Sequence, residues 1–381
     1  MSHARALLFR SLTAALLLTL PTFAATPSPQ PNPLAAAGQC VPPAAPGVPQ
    51  VGPLHPLPSG VAGQVAFYAA IYTAEGQQTA EMRLGDVDRV YPLASAFKTT
   101  VVHQVLQDVD AGRLRLDQML ETTAANRSIE AYPPGRNSVL KLIKLAIGES
   151  DNTASDILHL QVTPSRLTAN VRALSPCTSV LMTTKGLWSL MAGLVPQVVS
   201  GATPAAFSRS VQVFGNLTPT ERLKAAGVVN QQAQRFTAPT LLKALDRYFL
   251  GSLYQASNDA ALYNTSTARA YADLTARLLR GTGDLRPATQ TLYRQVMTTG
   301  CCTRSKTPLP FTPTYWGAKA GSGWGLLTMS GYMELPDGRN LAYMYINHDS
   351  PVRDSELIER QIYPVNTWIL NQVNQLRLGA P

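Results

Sequence analysis

The sequence lacks long apolar runs, basic blocks and metal-ligand spacings, and each absence argues against a class of function. Beyond the first two dozen residues, no stretch reaches the roughly 18 uninterrupted apolar residues that a membrane-spanning helix requires, so no stable membrane insertion is expected. Lysine and arginine nowhere form a block with interleaved aromatics, which argues against a nucleic-acid partner. Cysteine is confined to Cys40, Cys177, Cys301 and Cys302, and their separations match no zinc site. Neither a metal nor a cofactor is implied. Histidine is scarce: His103 and His159 fall in helical patterns and read as packed or surface residues, while His348-Asp349 ends a strand where a turn accounts for it.

What is present at the start reads as an export address. Arg5 and Arg10 precede the apolar run 11–20, and small residues follow at Ala24 and Ala25, so residues 1–24 are expected to be a signal peptide and the protein secreted or periplasmic. No cysteine follows the run where lipid attachment would need one. The formal charge is +9; without Arg5 and Arg10 the chain carries 30 basic and 23 acidic residues, a scattered net of +7. Such an excess suits an anionic envelope or a carboxylate substrate, and equally an ordinary solubilising surface.

Residues 25–62 are proline-rich, from Pro27 to Pro58, and read as a linker. Residues 63–381 read as one domain, expected to be monomeric. In an oxidising compartment one or two bridges are expected from the Cys301-Cys302 turn, the first to Cys177 and any second to Cys40, because a bond between adjacent cysteines strains its ring.

Within the domain, strand-like runs at 64–72 and 78–90 flank a turn at Thr73-Ala74-Glu75-Gly76, which predicts a hairpin. A helix is expected from Ser95 to about Asp110, with Phe97, Val101, Val102, Val105, Leu106 and Val109 on its apolar face. Helical periods follow at 139–147, 154–160, 187–194, 220–231, 240–249 and 268–280. Strands return at 316–320, 326–335 and 340–347, before a last helix over 354–376. Strands at both ends with helices between them predict an α+β fold: an antiparallel sheet formed by both chain ends plus an inserted all-helical lobe.

Three short motifs carry chemistry. In Ser95-Ala96-Phe97-Lys98 the serine and lysine are three apart, on one helix face. An apolar setting lowers the lysine pKa, so the amine can take the serine proton near neutral pH. In Ser150-Asp151-Asn152 the hydroxyl can relay a proton and the amide can hold a carbonyl, with Asp151 suited to helix capping. Lys319-Ala320-Gly321-Ser322 places a cation for a carboxylate on a strand, followed by small residues that let a substrate lie along the strand edge.

In that order and spacing, the chain resembles class A β-lactamases and their relatives among the serine penicillin-recognising enzymes, over most of 64–376. Further likenesses are the segments 91–98, 111–117, Pro133-Pro134-Gly135 and 149–154. The resemblance implies Ser95 as acylated nucleophile, Lys98 as its proton acceptor and Ser150 as proton relay. Asn152, Lys319, Gly321 and Ser322 become substrate-binding residues, with Arg339 an alternative carboxylate ligand. It also implies a small-molecule substrate, a β-lactam or a D-amino-acid peptide.

Two departures stand out. Lys-Ala-Gly replaces the usual Lys-Thr-Gly, and no loop glutamate follows Ser150-Asp151-Asn152 to activate a deacylating water. Between Thr153 and Thr220 the only acidic residue is Asp156, too early for that role, and Glu221 comes late. The expected function is a β-lactamase-like serine hydrolase with slow deacylation. A penicillin-binding peptidase or esterase acting on cell-wall peptides is the alternative, as is a non-catalytic envelope binding protein.

Overall fold

The computed structural model describes residue 40 and residues 47–52, 55–303 and 309–380. The expected signal peptide and much of the expected linker lie outside the described residues.

The main sheet has six strands: β1 (Gln50–Val51), β2 (Gln64–Tyr72), β3 (Gln78–Leu84), β8 (Tyr315–Gly323), β9 (Leu326–Glu334) and β10 (Asn340–His348). Four short strands, β4 (Tyr91–Pro92), β5 (Met119–Glu121), β6 (Arg136–Ser138) and β7 (Thr265–Ser266), pair apart from it. The sheet order is β1-β3-β2-β10-β9-β8. β2 therefore lies directly beside β10, with Tyr72 opposite Asn340 and Gln64 opposite His348. All neighbours are antiparallel except β1, which runs parallel to β3. Both chain ends build the sheet as expected, and Gln50–Val51, within the stretch read as linker, joins its edge.

β2 reads QVAFYAAIY, an almost unbroken apolar run, because both faces of the sheet are covered. Ala66, Tyr68 and Ala70 enter the core beneath the helical lobe, while Phe67, Ala69 and Ile71 enter the core on the opposite face. β10 alternates in the same way, with Met344 and Ile346 on one side and Tyr343 and Tyr345 on the other.

The helical lobe begins with α1 (Lys98–Asp110), α2 (Val139–Gly148), α3 (Asn152–Val162), α4 (Pro164–Leu174) and α5 (Thr184–Met191). It continues through α6 (Pro204–Gly215), α7 (Pro219–Ala233), α8 (Ala238–Phe249) and the short α9 (Asp259–Leu262). α10 (Ala268–Arg280) and α11 (Pro287–Met297) lead back to the sheet. The expected last helix is two helices, α12 (Ser355–Glu359) and α13 (Ile362–Gly379), and α13 supplies Val365, Trp368 and Ile369 to the core on the sheet's outer face. Among the described residues no helix is long and apolar enough to cross a membrane.

The cysteines pair differently from the sequence expectation. Cys40 and Cys177 are buried together against Ala270, their thiols hydrogen-bonded. Cys302 belongs to the core on the sheet's outer face, with Cys301 Sγ 3.3 Å from its own. Because the two pairs sit in different clusters, no bridge from the Cys301-Cys302 turn to Cys177 can form without rearrangement.

Candidate active site

Between β4 and α1 the chain makes one 3₁₀ turn, Ala94–Phe97. Its carbonyls and amides are tied to three other segments. The Leu93 N–H donates to Asn264 O (2.9 Å), the Thr328 hydroxyl donates to Leu93 O (2.9 Å), and the Tyr271 hydroxyl donates to Ala96 O (2.6 Å). Ala94 is held at φ 43°, a conformation that a residue with a Cβ seldom adopts. Fixed in this way, the turn leaves Ser95 as the one partly exposed residue from Tyr91 to Thr100. β8 runs against the turn so closely that a Cβ on Gly321 would lie 2.3 Å from the Ser95 nitrogen. Glycine is required there for steric reasons.

Lys98 opens α1 and is fully buried. Its Nζ donates to Ser150 O at 2.5 Å and to Asn152 Oδ1 at 2.6 Å, with Ser150 Oγ at 3.4 Å. These acceptors are neutral, so they do not offset the loss of solvation that burial imposes on an ammonium. Burial, reinforced by the charge of Lys319, lowers the Lys98 pKa to about 7, against the opposing pull of Glu130, Asp156 and Asp151. Lys319, also buried, donates from β8 to Ser150 Oγ at 2.8 Å and to Ala320 O. One hydroxyl is thus shared between two amines.

Ser150 owes its position to the break between α2 and α3. It takes φ 55°, and Asp151 then caps α3 by accepting from the Ala154 N–H at 2.7 Å. Asn152 is the first residue of α3. The structure brings Lys98, Ser150, Asn152 and Lys319 into one hydrogen-bonded cluster and sets Gly321 against the Ser95 turn. Ser322 stands at the edge, its hydroxyl donating to Glu359 of α12 at 2.6 Å. Arg339 does not join the cluster: it pairs with Asp337 in its own turn at 2.9 Å.

The segment after Asn152 contributes a hydroxyl to the site. Thr184, at the start of α5, lies 3.5 Å from Asn152 Oδ1. Asp156 is buried below it and accepts the N–H groups of Thr184 (2.6 Å) and Lys185 (2.8 Å), so it anchors α5. Burial pushes its carboxyl up to about 6. Glu221 is excluded as a water-activating base, because its exposed carboxylate closes a capping box with Thr218 on α7. Sequence reasoning missed Glu130, whose Oε2 accepts from Asn152 Nδ2 at 2.5 Å. No motif surrounds it, and only the fold brings its loop to α3.

Residues 61–193 match the model of the beta-lactamase enzyme family, Beta-lactamase2. That stretch carries Ser95, Lys98, Ser150 and Asn152; Lys319 lies beyond it. No curated protein matches the chain. Among solved structures, a beta-lactamase from Sphaerobacter thermophilus aligns at 18% identity over 85% of this chain and 95% of its own, with a TM-score of 0.53. A mutant class A beta-lactamase of the last common ancestor of Gram-negative bacteria aligns at 19% identity over 82% and 94%, with a TM-score of 0.51. A PBP-A mutant, solved as an acyl-enzyme complex with penicillin-G, aligns at 16% over 82% and 92%, with a TM-score of 0.50. At these identities the likeness shows a shared α+β β-lactamase-like fold.

Proposed function

We propose that this chain, whose residues 61–193 match the beta-lactamase enzyme family, is an exported serine hydrolase that acylates Ser95 with a β-lactam or a related amide or ester. The observation that carries this reading is the convergence of two buried lysine amines on the Ser150 hydroxyl, one of them three residues from a partly exposed serine. A solvated structural lysine does not need such burial.

In the proposed reaction, Ser95 Oγ attacks the acyl carbonyl and its proton passes to the neutral Lys98 amine. The C–N bond of the tetrahedral intermediate then breaks. The departing nitrogen takes a proton through Ser150 Oγ, which Lys98 or Lys319 replenishes. Lys319 supplies positive charge for a substrate carboxylate, and Asn152 Nδ2 donates to a substrate carbonyl. Ser322, turned toward Glu359, joins in carboxylate binding only by rotating its hydroxyl.

Deacylation is the slow step in this reading, because Asp156, the one carboxylate between Thr153 and Thr220, is bound to the first N–H groups of α5. Intact-mass spectrometry with a penicillin, with Ser95→Ala as control, tests the proposal beside a chromogenic cephalosporin assay. A persistent Ser95-dependent adduct supports it. Fast turnover with no lasting adduct contradicts slow deacylation, and neither adduct nor turnover removes the β-lactam reading.

A further inference from the structure

Both ends of the Asn152 amide are occupied. Its Oδ1 accepts from Lys98, and its Nδ2 donates to Glu130 Oε2 at 2.5 Å. The second bond bears on substrate choice, because Nδ2 is the donor that the acyl-enzyme reading assigns to a substrate carbonyl. Nδ2 carries two N–H donors, so a substrate carbonyl can accept one while Glu130 keeps the other, which sets the carboxylate beside the bound acyl group.

Glu130 is exposed, and its effect on a substrate depends on what else its charge meets. Among the described residues it makes no ion pair: neighbouring Arg127 stacks over the Tyr132 ring at 3.8 Å, and Lys98 is turned to Ser150 and Asn152. The loop itself is anchored, because the buried Ser128 N–H donates to Thr153 Oγ1 at 2.9 Å. Glu130 is therefore held beside Asn152 by an anchored loop.

We propose that Glu130 selects substrates by the charge on their acyl group, favouring an ammonium on the carbon next to the carbonyl that Asn152 holds. This inference rests on the acyl-enzyme reading above. An ammonium there gives the carboxylate an ion pair. A neutral acyl group offers it no opposite charge, and an anionic one adds repulsion.

Ampicillin and penicillin-G differ by that one amino group, so they are the probes. Their second-order rates of adduct formation are measured by intact mass for the wild type and for Glu130→Gln, which keeps an acceptor for Asn152 and removes the charge. The ratio of the ampicillin rate to the penicillin-G rate is expected to fall at least about threefold in the variant, in keeping with a solvent-exposed ion pair. In the wild type the ratio should also shrink as salt is raised. A ratio unchanged by Glu130→Gln overturns the selector role while leaving acylation at Ser95 standing. Equal loss with both penicillins also overturns it, in favour of a structural or proton-transfer role. No Ser95-dependent adduct with either probe overturns the acyl-enzyme reading, and this inference with it.

Discussion

Lys98 and Arg269 are both buried cations, and the fold treats them in opposite ways. Arg269, on α10 where it crosses the sheet, sits between two carboxylates: Nη1 lies 2.8 Å from Glu81 Oε2 and Nε lies 2.7 Å from Asp88 Oδ1. Its guanidinium also stacks over the Tyr68 ring at 4.8 Å. Burial opposes the charge, but the hydrogen bonds to Asp88 and the nearby acidic groups outweigh it and raise the pKa. Lys98 is given a carbonyl, an amide oxygen and a second lysine, and its pKa falls to about 7. One region is built to hold a charge, the other to give it up; burial is common to both, so the partners make the difference.

Removing Lys98 should have the largest effect. Lys98→Ala is expected to slow acylation by about 10²- to 10⁴-fold, the usual range for a positioned general base, as read by adduct formation with penicillin. Lys98→Arg should fail to rescue, since a guanidinium does not deprotonate. A variant that acylates as fast as the wild type would remove Lys98 from the chemistry. In the wild type the neutral amine is the active form, so the acylation rate should rise with pH below about 7 and level off above it. A rate flat from pH 5 to about 9 would contradict a lysine base with a lowered pKa.

Arg269→Met tests the other half of the comparison. It removes one of the two cations on buried Glu81, which keeps Arg83 at 2.8 Å, and should cost about 1 to 3 kcal/mol in chemical denaturation. Acylation per folded molecule should stay near wild type. Loss of acylation without loss of stability would mean that the two regions are coupled.

The sequence displays this contrast only in part. The boundaries of β2 and α10 follow directly from their apolar patterns, and the three motifs identify Lys98, Ser150, Asn152 and Lys319 before any fold is known. α4, α6 and α11 are absent from the expected helices; each opens with proline, at Pro164, Pro204 and Pro287, where its missing N–H costs nothing. The expected second strand ends early, at Leu84, because Gly85 turns the chain at φ +68°. Glu130 and Thr184 are single polar residues in unmarked segments, and their approach to Asn152 exists only once α3, α5 and the 122–135 loop have packed. The two cysteine pairs likewise depend on tertiary placement, which spacing does not encode.

The smallest effect should come from Asp156, which supports the site without joining it. Its carboxylate holds the first two N–H groups of α5 and also raises the Lys98 pKa from a distance. Asp156→Asn keeps one acceptor for two donors, so stability should fall by about 1 to 3 kcal/mol in denaturant titration. Loss of the negative charge should make the Lys98 ammonium easier to deprotonate. The midpoint of the acylation profile should therefore move to lower pH, by less than about one unit. An upward move would contradict the sign of that interaction. A stability loss with no move would mean that Asp156 acts on α5 alone, leaving burial and Lys319 as the groups that set the Lys98 amine.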